Sequence, residues 1–156
     1  MNPNPTIYIA GPLTGIGIST EKFHIYDVVA KLCTDQSFTV LAPHIELKNR
    51  GVEKSEMCIS PKQIFDWDYK WVKKSNVILA YVGIPSLGVG IELGLAVEWS
   101  IPFVTYCEKG VRVSPMVLGH PYSIEHVEFD RESDLKTKIR DALTKLQKVE
   151  GYNGIK

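Results

Sequence analysis

Asn76-Val77-Ile78-Leu79-Ala80-Tyr81-Val82, followed by Gly83-Ile84-Pro85-Ser86-Leu87-Gly88-Val89-Gly90-Ile91-Glu92-Leu93-Gly94-Leu95-Ala96-Val97, is the stretch that decides the fold. Its first part is a short, uninterrupted apolar run, as expected of a central strand buried on both faces. The Pro85-Ser86-Leu87-Gly88 segment reads as a turn. Beyond it the apolar residues continue to about Ser100, a length that suits a helix. From Leu87 to Val97, Glu92 is the only polar side chain. An ionised carboxylate among apolar groups costs several kcal/mol to desolvate unless something compensates it. Two readings compete. Glu92 is either an acidic residue in the first turn of the helix, favoured by the macrodipole, or a nucleophile or base held in a dry cleft.

Working outward, strands and helices alternate. Thr6 to Ala10 reads as a buried strand ending at Gly11-Pro12. Ser19 or Thr20 caps a helix to about Leu32, with Phe23, Tyr26 and Ala30 on its apolar stripe. Phe38 to Leu41 is a second strand, and Pro43 to Ser60 reads as a polar, irregular loop. Ser60-Pro61 opens a helix to about Lys74. Pro102 to Tyr106 is a fourth strand, Cys107 to Glu125 a long connection and His126 to Phe129 a fifth strand. Glu132 to Lys148 is an amphipathic helix with Leu135, Ile139, Leu143 and Leu146 on its buried stripe. The pattern is α/β: a doubly wound, parallel sheet of about five strands with helices on both faces. In such sheets ligands bind at the carboxyl ends of the strands. Here that means the loops from Gly11 to Ile18, from Pro43 onward and from Gly83 to Gly90.

Composition bounds the rest. The chain has 156 residues, 44% of them hydrophobic, which suits one domain over residues 1–156 with an ordered core from about 6 to 148. Eighteen basic and eighteen acidic residues cancel, so there is no electrostatic footprint for a nucleic-acid polymer or an anionic membrane. Cys33, Cys58 and Cys107 lack metal-ligand spacing and read as reduced thiols of a cytoplasmic protein. No stretch reads as a signal peptide or a membrane span. No cluster of metal or cofactor ligands is visible.

A second carboxylate stands out on the helix from Pro61. Asp66 has Lys62 and Lys70 four residues away and belongs to a solvated ion-pair face. Asp68 has Ile64 and Val72 at four residues, and Phe65 and Trp71 at three, so it points with the apolar face. It is either a partly buried Asp bonded to backbone or a second carboxylate in the cleft of Glu92. Two carboxylates in a water-poor cleft suit cleavage of a glycosidic bond, one attacking the anomeric carbon and one handling the leaving group's proton. A helix amino terminus would keep Glu92 ionised for that attack.

Five blocks together resemble the nucleoside 2-deoxyribosyltransferase superfamily. They are Ile7-Tyr8-Ile9-Ala10-Gly11-Pro12, Asp68-Tyr69-Lys70-Trp71, Asn76-Val77-Ile78-Leu79-Ala80, Pro85-Ser86-Leu87-Gly88-Val89-Gly90-Ile91-Glu92-Leu93-Gly94 and Arg112-Val113-Ser114-Pro115-Met116. Within the superfamily the chain is most similar to the 2′-deoxynucleoside 5′-monophosphate N-glycosidases and related pyrimidine-nucleotide hydrolases. The resemblance implies a flavodoxin- or Rossmann-like fold and hydrolysis of a nucleoside 5′-monophosphate to free base and sugar 5-phosphate. It implies Glu92 as the covalent nucleophile, Asp68 as the acid and Ser86 as a phosphate ligand, with Gly88, Gly90, Gly11 and Gly15 beside it. Ser114 matches a phosphate-binding serine supplied by the neighbouring subunit, so a homodimer with shared active sites is expected. Tyr8, Ile16, Phe23, His44 and Trp67 are the expected base and sugar contacts. Thr14 stands where the vertebrate-type glycosidases carry an arginine, which leaves Lys48 or Arg50 as other phosphate ligands. The alternatives are a base-exchanging deoxyribosyltransferase and a non-catalytic nucleotide sensor.

Overall fold

The computed structural model describes residues 4–13, 20–49 and 59–148. Thr6–Ala10 (β1), Thr39–Leu41 (β2), Val77–Tyr81 (β3), Phe103–Glu108 (β4) and Ser123–Phe129 (β5) form one sheet in the order β2-β1-β3-β4-β5. Every pair is parallel. The helices are Thr20–Asp35 (α1), Pro43–Asn49 (α2), Pro61–Lys74 (α3), Leu87–Trp99 (α4), Pro115–Leu118 (α5) and Glu132–Lys148 (α6).

Alternation along the strands builds two cores. Ile7 and Ile9 of β1, with Val77, Leu79 and Tyr81 of β3, face α1 and α6, where Tyr26, Val29, Leu135, Ile139 and Leu143 cover them. Tyr8 and Ala10, with Ile78 and Ala80, face the other way, toward Val72 of α3 and Val89, Leu93 and Ala96 of α4. Each fully buried aliphatic side chain contributes about 1.5–3 kcal/mol relative to an exposed one, so both faces of β1 and β3 are held firmly. The sheet order reverses between β1 and β3. In sheets of this kind ligands bind at such a switch point, at the carboxyl ends of the strands, which here are Ala10 and Tyr81.

Two expectations need correction. Residues 43–49 of the expected Pro43 to Ser60 loop form α2, because Pro43 starts a helix, Glu46 and Lys48 match the dipole, and His44 is buried beneath it. The connection expected from Cys107 to Glu125 is shorter. β4 runs on to Glu108, and β5 begins at Ser123, where its pairing with Phe103 precedes a register shift. Between them Pro115 starts the one-turn α5. Asn76 ties the strands together at the amino-terminal edge. Its Oδ1 accepts from the Thr6 amide at 2.7 Å and its own amide donates to the Thr6 carbonyl at 2.8 Å.

Candidate active site

Three elements meet at Tyr8. The residue lies in the middle of β1, fully buried, with its ring on the α3/α4 side. A buried tyrosine hydroxyl needs a partner, and here it donates to Glu92 Oε1 at 2.7 Å. The same hydroxyl bonds the carboxyl of Asp68 from α3. Sequence reasoning placed Tyr8 against the base; the structure places its hydroxyl between the two carboxyl groups. The available signal was a tyrosine in an otherwise apolar, doubly buried strand.

Both carrier helices are fixed locally. Ser60 caps α3 with a reciprocal capping box: its Oγ accepts from the Gln63 amide, and the Gln63 side chain accepts from the Ser60 amide. Val72 anchors α3 to the sheet, and Tyr69 stacks edge-on against Trp99 of α4 at 4.9 Å. Lys62 pairs with Asp66 on the outer face, as the spacing predicts, leaving Asp68 facing inward. Ser86 caps α4, accepting from the Val89 amide at 3.4 Å.

Glu92 lies in the second turn of α4, and no acidic residue occupies the first. The first-turn reading is therefore overturned, and so is the idea that the macrodipole keeps this carboxylate charged, since that effect fades within one turn. Burial dominates instead. It pushes Glu92 up to about 8; the Tyr8 bond opposes the rise and the Asp68 charge adds to it. Burial pushes Asp68 up to about 6, again opposed by the Tyr8 bond. Tyr8 itself is raised well above its ordinary value, by burial first and then by the Glu92 and Asp68 charges, so it stays protonated. Glu92 Oε2 is buried and has no hydrogen-bond partner among the described residues.

The other expected residues are distributed as follows. Ser86 stands at the start of α4, six residues before Glu92, with Gly88 and Gly90 exposed on the first turn. Among the described residues a Cβ on Gly90 would meet nothing within 4 Å, so packing against them does not require the glycine. At Gly11 a Cβ would come 2.6 Å from the Tyr26 ring, so close approach to α1 explains that one. Ser114 is exposed at the start of α5 and its side chain makes no cap bond. Trp67 is half-buried beside Asp68. Phe23 and His44 lie with α1, on the opposite side of the sheet: Phe23 packs edge-on to Tyr26 at 6.0 Å. His44 Nε2 sits 3.2 Å from Asp27 Oδ1, and burial lowers its pKa against the pull of Asp27. Lys48 lies 3.8 Å from the same Asp27 carboxylate. Thr14, Gly15, Ile16 and Arg50 fall outside the described residues, as does Cys58. Among the described residues no group of three or more His, Cys, Asp and Glu side chains is arranged to hold a metal, and no helix is long and apolar enough to cross a membrane.

Comparison with known proteins gives a consistent picture. Residues 7–143 match the family model described as nucleoside 2-deoxyribosyltransferase. A zebrafish (Danio rerio) protein named 5-hydroxymethyl-dUMP N-hydrolase is 37% identical over 148 residues, covering 89% of this chain and 98% of that one. Its Tetraodon nigroviridis namesake is 35% identical over 116 residues, 72% of this chain and 78% of its own. The structure of Clostridium botulinum CMP N-glycosidase superposes with a TM-score of 0.65 at 15% identity, covering 88% of this chain and 98% of that one, and shows a shared fold.

Proposed function

Since the chain belongs to the nucleoside 2-deoxyribosyltransferase family, we propose that it hydrolyses the N-glycosidic bond of a 2′-deoxynucleoside 5′-monophosphate, releasing the base and 2-deoxyribose 5-phosphate. One observation carries the reading: Glu92 and Asp68, 24 positions apart in sequence, converge on a single buried hydroxyl. The names of the relatives support the substrate class, a pyrimidine 2′-deoxynucleotide.

Glu92 is the nucleophile. Its unpartnered Oε2 attacks the anomeric carbon while Asp68 gives a proton to the departing base. Water, deprotonated by Asp68, then cleaves the glycosyl ester, with net retention. The shared hydroxyl supports this, because two carboxyl groups that bond one oxygen lie close together, as a retaining pair requires.

The phosphate binds at the start of α4. Ser86 and the amide of Gly88 face it, with the helix amino terminus adding favourable charge, whereas the Gly90 amide already donates to the Ser86 carbonyl at 3.1 Å. Gly11 and Gly15 are the further proposed phosphate contacts. Ile16 and Trp67 contact the base. Ser114 comes from the partner of a homodimer. The exposed face of α4 supports that assembly. The helix is apolar all round, yet Leu87 is 90% exposed and Ile91 56%, with Phe65 of α3 and Met116 of α5 also bare. A helix of that character is normally covered on every side, and Gly90 and Gly94 leave room for a second helix to approach closely. The proposed steps use no metal or organic cofactor.

The test is base release from a panel of ribo- and deoxyribonucleoside 5′-monophosphates and the matching nucleosides, by wild type and Glu92→Ala. Turnover of a deoxynucleotide, lost in the variant, is the expected result. Turnover of nucleosides alone, dependent on an added acceptor base, makes the protein a transferase. Tight binding with no release makes it a sensor.

A further inference from the structure

Tyr8 Oη lies 2.7 Å from Glu92 Oε1 and also bonds the Asp68 carboxyl, so one hydroxyl bridges the two acids. Burial raises both carboxyl groups above their ordinary values, Glu92 to about 8 and Asp68 to about 6, so near neutral pH the pair retains a proton. Attack on a sugar needs that proton on Asp68 and an ionised Glu92. Both residues are half-buried, and the bridging hydroxyl is the short route between them. The charged groups that bear on the Tyr8 hydroxyl, among the described residues, are Glu92 on α4 and Asp68 on α3.

A hydroxyl between two carboxyl groups has one proton to give. It donates to one of them, and accepts from the other only when that one is protonated. We propose that Tyr8 is a proton relay which arms the nucleophile and the acid in one exchange. The Glu92 carboxyl proton passes to Tyr8 Oη as the Tyr8 proton passes to Asp68. One O–H bond breaks and one forms at the tyrosine, net charge is unchanged and no co-reactant is consumed. The 2.7 Å separation of Tyr8 Oη and Glu92 Oε1 serves both arrangements, and in the armed one the tyrosine donates to the nucleophile. Developing positive charge on the sugar, over Glu92 Oε2, favours the armed state. The proposal rests on the glycosidase reading for its consequence but not for the shared proton.

The decisive variant is Tyr8→Phe, which keeps the buried ring and removes the hydroxyl. Two substrates are compared: a natural deoxynucleoside monophosphate, and 2-deoxyribose 5-phosphate carrying 4-nitrophenolate, which departs without protonation. On the natural substrate kcat falls about 100-fold, the usual scale for a lost proton transfer, with KM changed less than about threefold. On the nitrophenyl substrate the loss is similar at pH 6.5, where Glu92 holds its proton. It disappears near pH 10, where Glu92 ionises to solvent instead. Adding Tyr8→Phe to Asp68→Asn costs little further on the natural substrate, because the relay then has no acceptor. Equal losses on both substrates at every pH would show that Tyr8 only positions Glu92, and would overturn the relay.

Carboxyl ¹³C titration of the whole protein reads the shared proton without turnover. Wild-type Glu92 and Asp68 each titrate in two steps; in Tyr8→Phe both midpoints rise and the second steps shrink. If wild type cleaves nothing, the glycosidase reading fails while this titration still decides the relay. If it cleaves and the two carboxyls titrate independently, the relay fails and the glycosidase reading stands.

Discussion

The sheet carries two tyrosine–glutamate pairs, one on each face. On the α3/α4 face Tyr8 donates to Glu92 at 2.7 Å. On the α1/α6 face Tyr81 donates to Glu108 at 2.6 Å. The bonds are alike, and their settings are opposite. Tyr81 and Glu108 are the last residues of adjacent strands β3 and β4. Their pair sits among the rings of Tyr26 and Tyr106, at 5.6 and 5.7 Å from Tyr81. Tyr8 joins a strand centre to a helix, and its second partner is another carboxyl group. A Tyr–Glu bond between strand ends closes off an edge. The same bond beneath a helix, with a second acid and an unpartnered oxygen, suits the proposed sharing of a proton beside a nucleophile.

The contrast is tested most severely at Glu92. Glu92→Gln is expected to lower base release by on the order of 10³-fold or more, since the amide cannot form the ester. The same change should stabilise the fold at alkaline pH. The folded value near 8 lies above the ordinary 4.5, so the native state binds more protons between them. Stability is therefore present in full below about 4.5 and is lost as pH rises toward 8. Glutamine has no such loss. Urea unfolding at pH 5 and pH 8.5 should show the variant gaining about 3 kcal/mol relative to wild type at the higher pH. A variant no more stable at pH 8.5 would mean that Glu92 is not penalised by burial. Asp68→Asn comes next, with a loss of about 10²–10⁴-fold on the natural substrate and far less on a nitrophenyl one. Equal losses would remove Asp68 from the leaving-group step.

Gly83→Ala probes the other face. Its Cβ would lie 2.3 Å from the Tyr81 hydroxyl and 2.5 Å from Cζ. Tyr26 and Tyr106 flank that ring, so it has nowhere to swing. Overpacking of this kind costs about 1–3 kcal/mol, read as a lower urea midpoint. The folded fraction should keep its pH–rate profile, because the clash is on the far side of the sheet.

Most of the fold was legible because periodicity is local. The alternation of Ile7 and Ile9 against Tyr8 and Ala10, and the stripe from Leu135 to Leu146, follow from neighbours within a few residues. What escaped was marginal or distant. α2 is seven residues long and is held by the burial of His44 and by Ile45 against the core, contacts that no short window contains. β5 gains Ser123 to Glu125 from pairing with β4. At the site, the two carboxylates could be singled out because each breaks an apolar pattern. Their meeting point could not, since Tyr8 and Glu92 are 84 positions apart. The charge state inferred from helix position failed for the same reason: desolvation is a property of packing, and it outweighs a dipole one turn away.

Tyr81→Phe should have the smallest effect and is the sharpest control. It removes one hydroxyl from one Tyr–Glu pair and leaves the ring in place, as Tyr8→Phe does on the opposite face. The lost bond is worth about 1 kcal/mol. Glu108 is only partly buried at the strand end, so water can reach the carboxylate and the cost should not rise much beyond that. The expected result is a slightly lower urea midpoint, with kcat, KM and both limbs of the pH–rate profile unchanged. Tyr8→Phe, by contrast, should shift the profile more than the midpoint. If Tyr81→Phe moved the acid limb as far as Tyr8→Phe does, the two faces would be electrostatically coupled through β1 and β3. The proton shared by Glu92 and Asp68 would then belong to a network spanning the sheet rather than to the trio around Tyr8.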